Sequence, residues 1–190
     1  MITTQRISPF LWFADEAEEA ARYYTGIFKN SRVTTITRYG SAGFEAHHRK
    51  AGSVMTVAFE LDGQSFVALN GGPAFKFNES VSFVVNCATQ EEIDYYWEKL
   101  SAGGDSKTQQ CGWLKDRFGL SWQVTPPMDE LFADENSAGA ARAMEAMLKM
   151  KKLDIAVLRR AHDGTRESNE DADRDSSAAT SKRDDKVSES

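Results

Sequence analysis

No run of apolar residues in this 190-residue sequence approaches the roughly 20 that a membrane helix needs, which argues against a helical span. Met1 to Ile7 has no apolar segment of the kind that opens a secretory signal, so the cytoplasm is the expected compartment. Only two cysteines occur, Cys87 and Cys111, too few for a disulfide framework, and both are expected to be free thiols. A basic stripe is missing as well. With 23 Lys and Arg against 29 Asp and Glu, the formal charge is -6, and no basic stripe exists to hold nucleic acid or an anionic membrane. Ser, His and Asp fall in no arrangement that suggests a nucleophilic triad. No glycine-rich strand-loop-helix with a following acidic residue, the usual nucleotide cradle, is present.

What is present is an ordinary apolar content of 41% with 11% aromatics, enough for one sizeable core shared by one domain or two small modules. Composition changes after Ala161. From 163 to 190 the only aliphatic residue larger than Ala is Val187, and a segment this polar cannot offset its ordering entropy, so a disordered tail is expected there.

The rest reads as one pattern used twice. Ile7 to Phe13 is a strand-like run with Pro9 near its start. Asp15, with Glu18 three residues on, reads as the cap of a first helix whose apolar positions are Ala17, Ala20, Ala21, Tyr24, Ile27 and Phe28. Val33–Tyr39, Val54–Leu61 and Ser65–Leu69 follow as strands. Asp62-Gly63 is the dipeptide of a tight hairpin whose central residues both need positive φ. After the break at Asn70-Gly71-Gly72-Pro73 comes a fifth strand, Val81–Cys87. A second helix then opens on the capping box Thr89 and Glu92 and carries the stripe Ile93, Tyr96, Trp97, Leu100. A short strand is expected near Lys107–Gln110. A closing hairpin is expected from Cys111–Lys115 and Leu120–Thr125, with Asp116 and Gly119 in its turn. Ala141, Met144, Met147 and Leu148 predict an amphipathic helix, and Ile155, Val157 and Leu158 a last short one. Their apolar side needs a groove or a partner subunit.

Several of these stretches are similar to one family in the same order. They include Leu11-Trp12-Phe13-Ala14-Asp15, Ala20 to Tyr24, Phe59 to Gln64, Ala68 to Pro73 and Phe75 to Asn78. Cys111 to Asp116, Phe118 to Val124 and Leu148 to Ile155 continue the match. From about residue 7 to 158 the sequence resembles the PhnB-like, or 3-demethylubiquinone-9 3-methyltransferase-like, branch of the vicinal-oxygen-chelate superfamily of glyoxalases, bleomycin-resistance proteins and dioxygenases. The resemblance implies an α+β fold of two βαβββ modules forming a cupped, mostly antiparallel eight-stranded sheet, with C-terminal helices. It places one domain over 1–162, with modules at about 5–75 and 78–127, helices at about 128–161, and the tail beyond. A homodimer is implied too, because related folds pair modules between chains.

Enzymes of that superfamily usually hold a divalent metal at four strand positions, which fall here at Ser8, Asn70, Ser82 and Gln123. Two hydroxyls and two amides bring no imidazole, thiolate or carboxylate, so neither metal nor any other cofactor is expected. His47 and His48 are adjacent, hence on opposite sides of an extended chain, and read as part of a solvated loop. With those four positions turned inward, alternation puts Phe10, Trp12, Phe66, Asn70, Ser82 and Gln123 in the cup. Val67, Leu69, Phe83, Trp122 and Val124 then lie on the helix side. Trp113, Phe75 and Phe77 are rim candidates.

The expected function is therefore metal-free binding of a small, aromatic or apolar molecule. The alternatives are an enzyme, glyoxalase- or dioxygenase-like or the methyltransferase that the family label suggests, and an interaction module using the C-terminal helices. Acid-base catalysis needs a titratable group in the cup, and none is read there, so catalytic residues stay unassigned.

Overall fold

The computed structural model describes residues 5–134 and 136–165. Two modules follow one another. The first runs β1 (Phe10–Phe13), α1 (Ala17–Ile27), β2 (Arg32–Arg38), a one-turn α2 (Phe44–His47), β3 (Val54–Leu61) and β4 (Gln64–Asn70). The second runs β5 (Ser82–Asn86), α3 (Gln90–Ser101), β6 (Trp113–Lys115) and β7 (Ser121–Thr125). Then come α4 (Asp129–Phe132), α5 (Ala138–Met147) and α6 (Ile155–Asp163).

The strands form two sheets, ordered β1-β4-β3-β2 and β5-β7-β6. In each, the first strand lies parallel to the last, and the rest of the ladder is antiparallel. The repeat read from the sequence is thus present, as an α+β fold with sheets of four and three strands. The single eight-stranded cup is not what one chain forms. Its missing strand, expected at Lys107–Gln110, is a 3-10 turn at Ser106–Thr108 instead. Asp105 accepts the Lys107 N–H there, and only an isolated bridge joins Gln110 to Trp113. Just before β6 the chain's C-terminal part returns: Cys111 and Gly112 donate their N–H groups to Met150 and Lys151 carbonyls.

Local signals act as their chemistry requires. Asp62 (φ 46°) and Gly63 (φ 80°) both take the left-handed conformation of the β3–β4 hairpin. Thr89 Oγ1 accepts the Glu92 N–H, while the Glu92 carboxylate accepts the Ala88 N–H, a reciprocal cap on α3. The cap of α1 differs from expectation. Neither Asp15 nor Glu18 closes it; Asn70 Oδ1, from the end of β4, accepts the Ala17 N–H at 2.8 Å.

One main core joins the modules. The helix-facing residues of β3 and β4 (Val57, Phe59, Phe66, Ala68) pack with Ala17, Ala20, Ala21 and Tyr24 of α1. Val85, Trp122, Val124, Ile93 and Leu100 of the second module belong to the same cluster. Ring contacts bridge the modules: Phe66 to Phe83 at 5.2 Å, and Trp122 to Tyr24 and to Phe28 at 5.5 Å each. A smaller cluster, Leu131, Leu153 and Leu158, holds the C-terminal helices. The face of α5 is a correction to the sequence reading. Gly139, Ala140 and Ala143 are its buried residues, because α6 packs closely there. Met144 and Leu148 stay exposed, and Met147 only borders the smaller cluster. α6 continues through Asp163, one residue into the expected tail, and Gly164 caps it. From residue 166 on, that tail lies outside the described residues.

Candidate functional site

Each sheet has one face against the helices and one uncovered face. On the four-stranded sheet, Leu11 and Phe13 of β1 are buried on the helix side, and Phe10 and Trp12 lie on the uncovered side, as expected. β1 runs in register with β4: Leu11 opposite Ala68, Trp12 opposite Leu69, Phe13 opposite Asn70. Hence Phe66, Ala68 and Asn70 face the helix, while Val67 and Leu69 share the uncovered face with Phe10 and Trp12. This reverses the expectation for β4. Phe66 is 4% exposed and stacks on Phe59 at 5.4 Å, so it is core rather than cup lining. Asn70 is spent on structure. Its Oδ1 caps α1, its Nδ2 donates to the Val54 carbonyl at 3.2 Å, and its own carbonyl accepts the Tyr39 hydroxyl at 2.7 Å.

On the three-stranded sheet the expected parity is present. Phe83, Val85, Leu114, Trp122 and Val124 face the helix side. Ser82, Val84, Ser121, Gln123, Trp113 and Lys115 occupy the other, with Ser82 opposite Ser121 and Gln123 opposite both Val84 and Trp113. Gln123 Nε2 donates to Ser82 Oγ at 2.8 Å. Ser121 Oγ is buried with no hydrogen-bond partner among the described residues.

The helix sides of both sheets meet in one core, so the uncovered faces point away from each other. Within one chain the seven sequence-chosen residues therefore do not line one hollow. Trp12, half-buried, donates Nε1–H to the Gly72 carbonyl at 2.8 Å and meets Phe75 edge-on at 5.0 Å. Phe10 stands 59% exposed and Val84 49%. Ser82, Gln123 and Trp113 group on the second sheet. Asn70 points into the interior, and Phe66, mostly buried, borders one cleft together with Ser82.

Clefts mark the surface. One of about 490 Å³ runs between the β3–β4 hairpin, the free edge of β5 and α3, with Phe28, Phe66, Phe83, Tyr96 and Trp122 as its apolar lining. One of about 330 Å³ lies between the end of β1, residues 75–77 and the β6–β7 turn. One of about 230 Å³ contains Asp15, Glu18, Arg49 and Asn70. Arg49 donates there to Asp15 and to the Ala14 carbonyl.

Asp116 in the β6–β7 turn accepts four hydrogen bonds. One oxygen accepts the Phe118 and Leu120 N–H groups at 2.8 and 3.0 Å. The other accepts the Tyr24 hydroxyl at 2.7 Å and the Trp122 Nε1–H at 2.8 Å. Burial pushes its carboxyl above the usual range, and the four donors oppose that rise. Burial, reinforced by the Asp116 charge, holds the Tyr24 phenol well above its ordinary value. Burial pushes the Cys87 thiol up to about 12, which keeps it unreactive.

The chelating corners do not fit a divalent metal. Ser8 is exposed, Asn70 is turned inward and saturated, and Ser82 and Gln123 bond one another. Among the described residues no three His, Cys, Asp or Glu side chains converge. No helix among them is long and apolar enough to cross a membrane. Sequence reasoning missed Lys115, although it shares parity with Trp113 on β6, two residues apart.

The family model described as 3-demethylubiquinone-9 3-methyltransferase matches residues 5–125. Among solved structures, the PhnB protein of Bacillus cereus is 36% identical, with a TM-score of 0.56 over 64% of this chain and 99% of that one. Protein PA1353 of Pseudomonas aeruginosa is 19% identical over 65% and 98%, with a TM-score of 0.48. The fosfomycin resistance protein FosX of Mesorhizobium loti is 14% identical over 65% and 91%, with a TM-score of 0.43. The last two likenesses are too weak to bear on chemistry. No curated protein matches the chain.

Proposed function

The chain belongs to the 3-demethylubiquinone-9 3-methyltransferase family, and we propose that within it this protein binds a small aromatic or apolar molecule without a metal, in a cup that two copies complete. The observation that carries this reading is the pair of uncovered sheet faces. They present Phe10, Trp12, Val67 and Leu69 on one sheet, and Val84, Trp113, Ser82 and Gln123 on the other. Large apolar side chains left to water, Phe10 and Val84 among them, mark a surface that something else covers. The uncovered face of one sheet against that of the other from a second copy would enclose an aromatic hollow with a few polar anchors, the usual make-up of a small-molecule site.

The metal-free part rests on donor chemistry. Hydroxyls and amides that already bond protein groups are poor ligands for a transition metal. The methyltransferase label has no support in a nucleotide-cradling loop, and the carboxylates met at the uncovered faces are paired, Glu60 with Arg32 at 2.8 Å and Glu79 with Lys115 at 2.5 Å.

A thermal-shift screen against aromatic and quinone-like compounds, with elemental analysis of the purified protein, tests the reading. A binder is expected to raise the melting temperature in step with its concentration. A transition metal bound one per chain, or the absence of any shift across the screen, would contradict it.

A further inference from the structure

The 330 Å³ cleft is complete within one chain and has a chemistry of its own. Its walls are aromatic: Trp12 meets Phe75 at 5.0 Å, and Phe13 meets Phe77 at 5.1 Å and Phe118 at 6.1 Å, all edge-on. Its charged lining is Lys76, Lys115 and Arg117 against a single carboxylate, Glu16, an inversion of the acidic balance of the whole chain. Arg117 is held in place, bonded to Glu19 at 2.9 Å and stacked 4.4 Å above the Tyr23 ring. Lys76 has no ion-pair partner among the described residues. Lys115 pairs with Glu79 at 2.5 Å, but Glu79 comes from the connection between the modules and its side chain is 62% exposed. Lys115 itself is 23% exposed, so the open partner is the carboxylate; a carboxylate so open to solvent is weakly held, and another anion can replace it.

We propose that this cleft seats a small aromatic molecule bearing a carboxylate or like oxyanion. The ring lies among Trp12, Phe13, Phe75 and Phe118, and the anionic group lies at Lys76 and Lys115, where it takes the place of the Glu79 carboxylate. The volume suits a single ring with its substituent, at the lower end of small-molecule pockets. The lysines provide charge-assisted hydrogen bonds that a neutral analogue does not receive in full. The proposal goes beyond the cup between copies and needs no second chain; Trp12 and Lys115 also border the uncovered faces, so Lys76, Phe77 and Gly119, which belong to the cleft alone, tell the two readings apart.

Benzoate and its neutral counterpart benzamide are the probes, titrated by calorimetry into the full chain, with backbone amide shifts to place them. Benzoate is expected to bind about tenfold more tightly than benzamide, and Lys76→Gln with Lys115→Gln to remove that advantage, benzoate losing more affinity than benzamide. Glu79→Gln, on an exposed connection, is expected to tighten benzoate alone, because the competing carboxylate is gone. Shifts are expected at Phe75, Lys76, Phe77 and Gly119. Equal affinity for the two probes, no binding of either, a Glu79→Gln variant no tighter than wild type, or shifts confined to the sheet faces would each overturn the proposal. Binding of both probes at Phe10 and Val84 would do so while leaving the cup reading intact.

Discussion

Replacing Asp116 by Asn changes one atom's chemistry at the point where the two modules are tied. The carboxylate is 3% exposed and accepts four hydrogen bonds. An amide oxygen can keep the Phe118 and Leu120 N–H groups of the turn. The amide NH2 then faces the Tyr24 hydroxyl and the Trp122 indole N–H. The hydroxyl can rotate to accept, but the indole N–H is a donor only and is left without an acceptor. A buried donor stranded this way costs about 1–3 kcal/mol, so a loss of about 2 kcal/mol is expected. For a folded domain of this size that lowers the melting temperature by about 4–8 °C. Tyr24→Phe alone is expected to cost about 1 kcal/mol. The double variant should fall short of the sum, since both changes act on one contact. Thermal unfolding followed by circular dichroism measures all three. An Asp116→Asn variant melting within 1 °C of the wild type, or strict additivity in the cycle, would refute the claim that this carboxylate joins the modules.

The same group sets a pH dependence. Because burial raises its folded-state pKa, its stabilisation is greatest below the ordinary carboxylate range and declines as pH rises through the folded value. The margin of wild type over Asp116→Asn should therefore narrow with rising pH in denaturant titrations, and a margin that widens would reverse the sign. At Gly71 an added Cβ would lie 2.1 Å from the Trp12 ring, so Gly71→Ala should displace the indole, shift tryptophan emission and cost about 1–3 kcal/mol. Truncating Phe66 to Ala should cost about 3–5 kcal/mol as a core deletion; a neutral effect on melting would return it to the cup. Cys87 should resist iodoacetamide until the chain is unfolded, as mass spectrometry of labelled protein would show.

Much of the fold was written in short-range chemistry. Asp62-Gly63 and the Thr89–Glu92 pair act within a few residues of themselves, and period-two alternation placed both faces of β1 and β7. What escaped was set across long separations. Asn70 reads as a polar residue on a strand, hence as cup lining. Its amide closes a helix that begins 53 positions earlier, and that one misplacement turned β4 over, Phe66 with it. Asp116 reads correctly as a turn residue, yet its second oxygen serves Tyr24, 92 positions away. The strand expected near Lys107 lost to Asp105, whose side chain favours a turn. The cationic cleft was hidden for the same reason: Trp12, Lys76 and Lys115 come from three segments that only the folded chain brings together.

Sedimentation velocity at micromolar concentration addresses the pairing of uncovered faces most directly. Wild type should run at twice the 21.1 kDa chain mass, and a Phe10→Asp, Val84→Asp variant at the mass of one chain with its circular dichroism unchanged. A wild-type protein that sediments as a single chain, or a variant that still pairs, would contradict the account.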